Sequence, residues 1–456
     1  RLEQVAQRSL LDAREALIIP EEYTGAGIDA FVATCSAAPP LRAALIGLTE
    51  DLSVQSALRA CAGADVTILQ TVALGARPRR EQLRALAALR SLRLDLILMV
   101  GGVDAGHTSL LESAAAVLAV AYAQAPRAAR PVILYAGNPE ARRPIADLVR
   151  PALEYRVVEN VRPRLDAESP QELLRELALL YAERKLAALP GYEQLTRWCT
   201  APVLTTAEAL AATWRYLSQR QGLGTLLGVD VGGAHTLLSL IREGASQATV
   251  GLPVGVAAGL RSLVNQVGTA GLRQWLATPL SSEEIYVQAE NVALRPHGIP
   301  QTMADVHLTQ AAAREALRLA VAQWRERYGA EALSGSVGSL ACDLIAARGG
   351  ALTHAAHDGL VALALLDALQ PVGLCRLAVD RASLWPQLGA VAQMAPLAAS
   401  QVLQRDGLYE LGLVVAPAIS SLAESASTSL DLAFAGKPAL SLTILCENGR
   451  VIEADV

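Results

Sequence analysis

LLGVDVGGAHTLLSLIREG, residues 226–244, is the stretch that decides the fold. Two apolar runs flank a single carboxylate, Asp230, and the adjacent glycines Gly232 and Gly233. This pattern predicts two buried strands joined by a turn made almost entirely of backbone, and glycines there let the chain approach a ligand closely. Successive N–H groups exposed by such a turn can cradle an anion. The alternative is an ordinary tight hairpin, which this motif taken by itself favours.

The side chains around this turn supply candidate ligand contacts. Asp230, at the end of the first strand, can hold a water of Mg²⁺ or orient an attacking water. Thr236 can donate a hydrogen bond to a phosphate oxygen, and His235 can contact a phosphate or lie on the hairpin surface. Asp230 is the candidate catalytic and metal-holding group, and the candidate phosphate-binding residues are Gly232, Gly233, Ala234, His235 and Thr236.

Upstream, residues 51–200 alternate regularly between helix-like segments and continuous apolar segments. Apolar strands that alternate with helices predict a parallel sheet covered on both faces. Ligands of such sheets bind at the carboxyl ends of the strands. The polar and glycine residues at those ends either form turns and helix caps, which is the favoured interpretation, or contact a phosphate or a metal-bound water. They are Gly101, Gly102, Asp104 and Asn138.

The composition excludes several classes of function. A net charge of -5 over 456 residues gives no basic footprint for nucleic acid. The longest apolar runs fall short of the ~20 residues that a membrane-spanning helix needs, so we expect a cytoplasmic protein without a membrane span. Lysine occurs only at Lys185 and Lys437, which rules out a phosphate loop of the GxxxxGK type. The six widely spaced cysteines are expected to be reduced thiols.

Both ends of the chain have a pattern of their own. Residues 1–17 have the spacing of an amphipathic helix. After residue 416, short alternating segments with the turn sequences AGKP (435–438) and ENGR (447–450) predict β-hairpins.

A second glycine motif lies more than a hundred residues after the hairpin. LIAARGGALTH (344–354) predicts a strand, a turn at Gly349 and Gly350, and a helix. Its order after DVGGAHT (230–236) resembles the superfamily of actin, sugar kinases and hsp70 chaperones, in which a hairpin binds phosphates and a later Gly-Gly turn lies against the adenosine. The resemblance implies an α/β fold of the actin-like (ribonuclease H-like) type with two lobes. It also implies ATP between the lobes, with Gly349 and Gly350 beside the adenosine.

Several longer segments resemble one family of that superfamily, the glutamate mutase L family. Its members are encoded beside coenzyme B12-dependent mutases and are described as accessory or reactivating factors, and they are unrelated to the mismatch-repair protein of similar name. The segments that carry the resemblance, in the family's order, are FVATCSAAPPLRAALIGLTEDLSVQSALRACAGADV (31–66), LDLILMVGGVDAGH (94–107), PVILYAGNPEA (131–141), VVENVRPRL (157–165), GVDVGGAHT (228–236) and LLDALQPVG (365–373).

This resemblance implies a division of the chain into four parts. The N-terminal phosphate loop of the family is absent from this sequence. The expected parts are a remnant of the first actin-like lobe (1–50), an inserted parallel α/β block (51–200), the second lobe with the phosphate-2 and adenosine motifs (201–416), and an incomplete β-rich C-terminal module (417–456).

Three departures from the family pattern touch the expected site. Ser36 is a candidate ligand contact, but Pro39 and Pro40 follow it where the family has glycines, and prolines remove N–H donors. Leu237 replaces an acid after the hairpin. Arg348 stands where a small residue is usual, so its side chain can crowd an adenine or stack on it.

Three hypotheses on function follow. The first is an ATP-driven reactivating factor, in which ATP and Mg²⁺ close the lobes and move a protein partner such as a B12-dependent mutase. The second, favoured by the departures, is a non-catalytic assembly scaffold that binds nucleotide weakly or not at all and works through protein contacts, self-association included. The third and weakest is a small-molecule kinase, because the sequence identifies no acid to deprotonate an acceptor.

Overall fold

The computed structural model describes residues 2–76, 78–277, 279–329 and 340–416, together with the backbone of three strands within 425–455. The described strands are β1 Leu41–Gly47, β2 Val66–Ala73, β3 Leu96–Met99, β4 Val132–Tyr135, β5 Glu154–Val157, β6 Thr225–Val231, β7 Thr236–Arg242, β8 Ala245–Leu252, β9 Leu344–Arg348, β10 Gly373–Val379, β11 Tyr409–Ala416, β12 Ser425–Leu432, β13 Leu440–Glu447 and β14 Arg450–Asp455.

The α-helices cover the sheets and connect their strands. They are α1 Leu2–Ala6, α2 Gln55–Cys61, α3 Arg79–Ala88, α4 Ser109–Tyr122, α5 Arg142–Val149, α6 Gln171–Arg184, α7 Tyr192–Trp198, α8 Thr206–Arg220, α9 Leu260–Arg273, α10 Ser282–Leu294, α11 Met303–Tyr328, α12 Gly350–Thr353, α13 Asp358–Leu369, α14 Trp385–Val391 and α15 Pro396–Asp406. None of the helices in the described residues is both long enough and apolar enough to cross a bilayer.

The first sheet has five parallel strands in the order β2-β1-β3-β4-β5. Its inner strands β3 and β4 are apolar and buried along their whole length, because α2 and α6 pack on one face of the sheet and α3, α4 and α5 on the other. The predicted parallel sheet is therefore confirmed. Its middle includes β1, which was not recognised as a strand in the sequence and which begins ahead of the boundary expected at residue 51. The four-part division of the chain stays a proposal.

The second sheet has six strands in the order β11-β10-β9-β6-β7-β8. Strands β6, β7 and β8 form an antiparallel meander, and β9 and β10 then add in parallel on the other side of β6. Helices α9, α11 and α13 cover one face and α8, α14 and α15 the other. A meander followed by parallel strands beside its first strand is the arrangement of an actin-like lobe, which confirms the fold class that the sequence predicted.

The third sheet consists of the antiparallel strands β12, β13 and β14, as the hairpin signals after residue 416 predict. The turn at 435–438 lies outside the described residues, as does the centre of the turn at 447–450.

The amphipathic helix expected over residues 1–17 is wrong. Only Leu2–Ala6 is helical, because Gln7 takes a left-handed conformation (φ 52°) that ends the helix. The Glu3 carboxylate then accepts hydrogen bonds from the N–H groups of Leu10 and Leu11 at 2.8 and 3.2 Å, so the following residues fold back in an irregular turn.

The connection from β9 to α12 depends on one glycine. Gly349 has φ +109°, and a Cβ added to it would lie 2.0 Å from the carbonyl oxygen of Val231 in β6. The neighbouring Gly350 has no atom within 4 Å of an added Cβ. The chain can therefore leave β9 across the end of β6 only through a residue without a side chain at position 349.

We expect Gly349→Ala to lower the free energy of unfolding by more than about 2 kcal/mol, because it adds both backbone strain and overlap with a strand. Gly350→Ala is the matched control and should change the free energy of unfolding by less than about 1 kcal/mol. Urea unfolding followed by circular dichroism measures both variants. Equal stability of the two would show that the β9–α12 connection is not constrained in this way.

Candidate functional site

A cleft of about 300 Å³ lies at the carboxyl ends of β6 and β9. The turn between β6 and β7 forms one wall, the start of α12 another, and the segment that leads into β2 a third. The predicted site residues that line it are Ser36, Asp230, Gly232, Gly233, Ala234, His235, Thr236, Gly349 and Gly350. The structure thus brings together residues that are more than 300 positions apart in the sequence.

The turn of the hairpin presents unpaired amide groups. The N–H of Gly232 bonds to the carbonyl of His235 at 2.9 Å, and this bond closes the turn. The carbonyl of Gly233 accepts from the N–H groups of Ala257 and Gly259 at 2.8 and 2.9 Å, which ties the turn to the following segment. Within the described residues, the N–H groups of Gly233, Ala234 and His235 have no acceptor. Three consecutive free donors on a fixed turn are suited to an anion.

Of the two polar side chains that follow the glycines, Thr236 differs from the expectation and His235 keeps its place as a candidate contact. Thr236 is fully buried and its hydroxyl donates to the carbonyl of Val254 at 3.0 Å, so the proton predicted for a phosphate is already used within the protein. His235 lines the cleft, and burial lowers the pKa of its imidazole from the ordinary 6.5. At neutral pH it is therefore an uncharged donor and acceptor.

Asp230 forms an ion pair that the sequence did not predict. The parallel register of β6 and β9 places Asp230 directly beside Arg348, and Nη1 of Arg348 lies 3.2 Å from Oδ1 of Asp230. Nε of the same guanidinium lies 3.5 Å from Oδ2 of Asp380, which follows β10. Burial raises the pKa of the Asp230 carboxyl, and the Arg348 charge opposes that rise. Arg348 is thus positioned between two carboxylates.

Asp380 is itself fixed by the backbone. Its side chain is fully buried and accepts hydrogen bonds from the N–H groups of Leu384 and Trp385 at 2.8 and 3.0 Å. These bonds hold one end of the ion-pair network in place at the start of α14. The sequence signal was an acid directly after an apolar strand, in CRLAVD (375–380), and it was not recognised.

The residues present do not fit a Mg²⁺ ion held through Asp230. A hydrated Mg²⁺ that shares a water with this carboxylate would lie ~4 Å from it, next to the guanidinium that already contacts Oδ1. Because Oδ1 of Asp230 already accepts a hydrogen bond from Arg348, a metal-bound water would have to displace the guanidinium or share that oxygen with it. In the described part of the chain no three His, Cys, Asp or Glu side chains cluster in a way that could hold a metal ion.

Asp65 is a second acid of the cleft that sequence reasoning missed. It lies just before β2, where no motif marks it, and it also borders a neighbouring cavity of about 550 Å³. Burial, and to a smaller extent the nearby Glu208 carboxylate, raises the pKa of Asp65 from 3.8 to about 6. An acid that titrates near neutral pH in a cleft is a candidate functional group.

The remaining predicted residues have structural partners. Ser36 lines the cleft, and its hydroxyl oxygen accepts the N–H of Thr206 at the start of α8 at 2.9 Å. Asn138 is buried, and its side chain accepts the N–H of Glu140 and donates to the carbonyl of Gly106 at 2.8 Å, so it caps a helical turn as the favoured interpretation held.

Gly101, Gly102 and Asp104 lie at the carboxyl edge of the five-stranded sheet and not with the hairpin. The buried amide of Asn160 donates to the carbonyl of Gly102 and to Oδ1 of Asp104, both at 2.9 Å. The strand ends of this sheet therefore form a hydrogen-bonded network of their own, and a ligand contact there stays a prediction.

The meander with two added parallel strands, and a cleft at the ends of β6 and β9, define an actin-like α/β protein. The chain belongs to the MutL protein family, whose model matches residues 4–407. It is also 24% identical over 312 residues to Protein MutL of Clostridium tetanomorphum, and this alignment spans 64% of each chain, which is less than two thirds of the relative's length.

Among solved structures, the chain is similar to a carboxylase and to the activator of a dehydratase. Nucleotide-free acetone carboxylase is 14% identical with a TM-score of 0.34, over 86% of this chain and 60% of that chain. The activator of 2-hydroxyisocaproyl-CoA dehydratase from Clostridium difficile, with bound ADPNP, is 11% identical with a TM-score of 0.26, over 46% of this chain and 72% of that chain. Likeness at this level carries no argument about ligands.

The raised pKa of Asp65 predicts a pH-dependent cost of folding. Between pH 3.8 and about 6 the unfolded chain has released this proton and the folded chain has not, so stability falls as pH rises through that window and is level above it. We expect Asp65→Asn to remove the fall and to raise the free energy of unfolding at neutral pH by on the order of 2 kcal/mol.

Urea unfolding on both sides of that window, near pH 4 and near pH 7, tests this expectation, with exposed Asp29→Asn as the control that should follow the wild type. A stability difference between Asp65→Asn and the wild type that is the same at both pH values would contradict it.

Proposed function

We propose that this chain is a nucleotide-binding accessory protein and that the cleft at the ends of β6 and β9 binds the phosphates of ATP. The single observation that carries the proposal is the row of unpaired N–H groups at Gly233, Ala234 and His235, in a cleft that Gly349 and Gly350 also line. Such donors bind a polyphosphate without any side-chain charge. Membership of the MutL family supports an accessory role.

The geometry gives each part of the cleft a task. The turn amides would hold phosphate oxygens, and neutral His235 would offer a further hydrogen bond beside them. The exposed start of α12 at Gly350 would leave room for the adenosine, since nothing lies within 4 Å of an added Cβ there. Whether ATP is then hydrolysed stays a prediction.

The partner that we propose is a coenzyme B12-dependent mutase, on the basis of the family resemblance. Nucleotide would bind in the cleft, change the relative positions of the elements around it, and so change the affinity for the mutase. A cytoplasmic location agrees with this role and stays a prediction.

Calorimetric titration of ATP, with and without Mg²⁺, into the wild type and into Gly350→Phe tests the proposed site. Gly350 lines the cleft, and an added Cβ there has no atom within 4 Å, so a phenyl group at this position would take up space that the proposed ligand needs. We expect ATP binding to weaken by about tenfold or more, which is 1.4 kcal/mol.

Gly359→Phe is the matched control for that titration. Gly359 is exposed in α13, its added Cβ also has no atom within 4 Å, and it does not line the cleft. This variant should bind ATP as the wild type does. If the wild type binds no ATP in any condition, or if Gly350→Phe binds it unchanged, the proposal is wrong.

A non-catalytic scaffold is the second candidate, and the Asp230–Arg348 ion pair favours it because it occupies the carboxylate expected to serve catalysis. It predicts that self-association or mutase binding is unaffected by Gly350→Phe and by Asp230→Ala. Sedimentation velocity of the wild type and the two variants, alone and with purified mutase, measures this. Loss of the complex in both variants would count against the scaffold.

A further inference from the structure

We propose that the Arg348 guanidinium takes the place of a divalent cation in this cleft, so that the site binds ATP in its metal-free form. The inference deepens the proposed function and rests on it. It starts from the disagreement between the residues present and a metal held through Asp230. Nη1 of Arg348 lies 3.2 Å from the carboxylate that would hold the metal-bound water.

Arg348 is held where a phosphate-binding cation is needed. It lines the cleft together with the unpaired turn amides, and among the described residues that line this cleft it is the only Lys or Arg. Asp230 and Asp380 contact it through Nη1 and Nε, and its side chain is only 16% exposed. The two carboxylates fix its orientation.

The three nitrogens of the guanidinium allow it to contact the two carboxylates and a ligand at the same time. Nη1 donates to Asp230, and Nε lies 3.5 Å from Oδ2 of Asp380 without a hydrogen bond. No acceptor among the described residues takes a hydrogen bond from Nη2. Because the fork is planar and rigid, Nη2 stays available for a phosphate oxygen while the other contacts persist. A lysine at this position has a single nitrogen and cannot replace all three contacts.

The same arrangement explains why a divalent ion is not required. Phosphate oxygens would be met by three neutral N–H groups and one fixed positive charge, which are the elements of an anion site without metal. With Arg348 removed, Asp230 loses its ion-pair partner in the cleft, and a hydrated cation can then approach its carboxylate.

The test is calorimetric titration of ATP in excess EDTA and, separately, in excess Mg²⁺, into the wild type, Arg348→Ala, Arg348→Lys and the control Arg261→Ala. Arg261 pairs with Glu290 on the surface and lies outside the cleft. We expect the wild type and the control to bind ATP with affinities within about threefold in the two conditions. In EDTA, Arg348→Ala and Arg348→Lys should bind about tenfold or more weakly, and Arg348→Ala should recover affinity with Mg²⁺.

The outcomes separate this inference from the proposed function. Wild-type binding that is about tenfold weaker in EDTA would overturn the inference and leave the proposed function intact. Unchanged binding by Arg348→Ala in EDTA would also overturn it, whereas no binding by the wild type in either condition would overturn both. If Arg348→Ala does not fold, the wild-type comparison and Arg348→Lys, which keeps a positive charge between the acids, still decide.

Discussion

The parallel pairing of β6 with β9 is the contact on which the candidate site depends. Its register places Asp230 beside Arg348 and brings the hairpin turn and the α12 start to the same edge of the sheet. The chain can make this pairing only because Gly349 passes over Val231 with a positive φ and no side chain. Backbone sterics therefore fix the shape of the cleft before any side chain contributes to it.

The parallel strands from β2 to β5 could be predicted because apolar segments, continuous in β3 and β4, alternate there with helices of clear periodicity. The central strand β1 could not, since LRAALIG (41–47) has a composition that suits a helix equally well. It becomes a strand because β2 and β3 pair with it on both sides, which is tertiary context that a local pattern does not contain. The helix expected at the N-terminus fails for a local reason, because Gln7 takes a left-handed conformation and the Glu3 side chain then accepts the N–H groups of Leu10 and Leu11.

The glycine turns of the site could be predicted from the sequence. The ion pairs between its acidic and basic side chains could not. The turn at Gly232 and Gly233 and the Gly349-Gly350 motif have sequence signatures, and they line one cleft. Asp65 and Asp380 have none that can be separated from ordinary acids near strand ends. Their importance comes from burial and from neighbours that are distant in the sequence.

The charge balance of the cleft bears on both candidate functions. Two carboxylates, those of Asp230 and Asp380, are paired with the single guanidinium of Arg348 at the β6–β9 edge. The acidic groups outnumber the basic one there, and an excess of negative charge by itself repels a polyphosphate. The N–H groups of the turn oppose that repulsion, because their dipoles carry positive partial charge at every pH. The fixed backbone already orients them, so they need not move when an anion binds. In the proposed site, the affinity for ATP would therefore depend on how closely the amides and Arg348 converge on the same phosphate oxygens. A small displacement of the hairpin from β9 would separate them, so under the proposed function a change of shape at the β6–β9 edge would change the affinity for nucleotide.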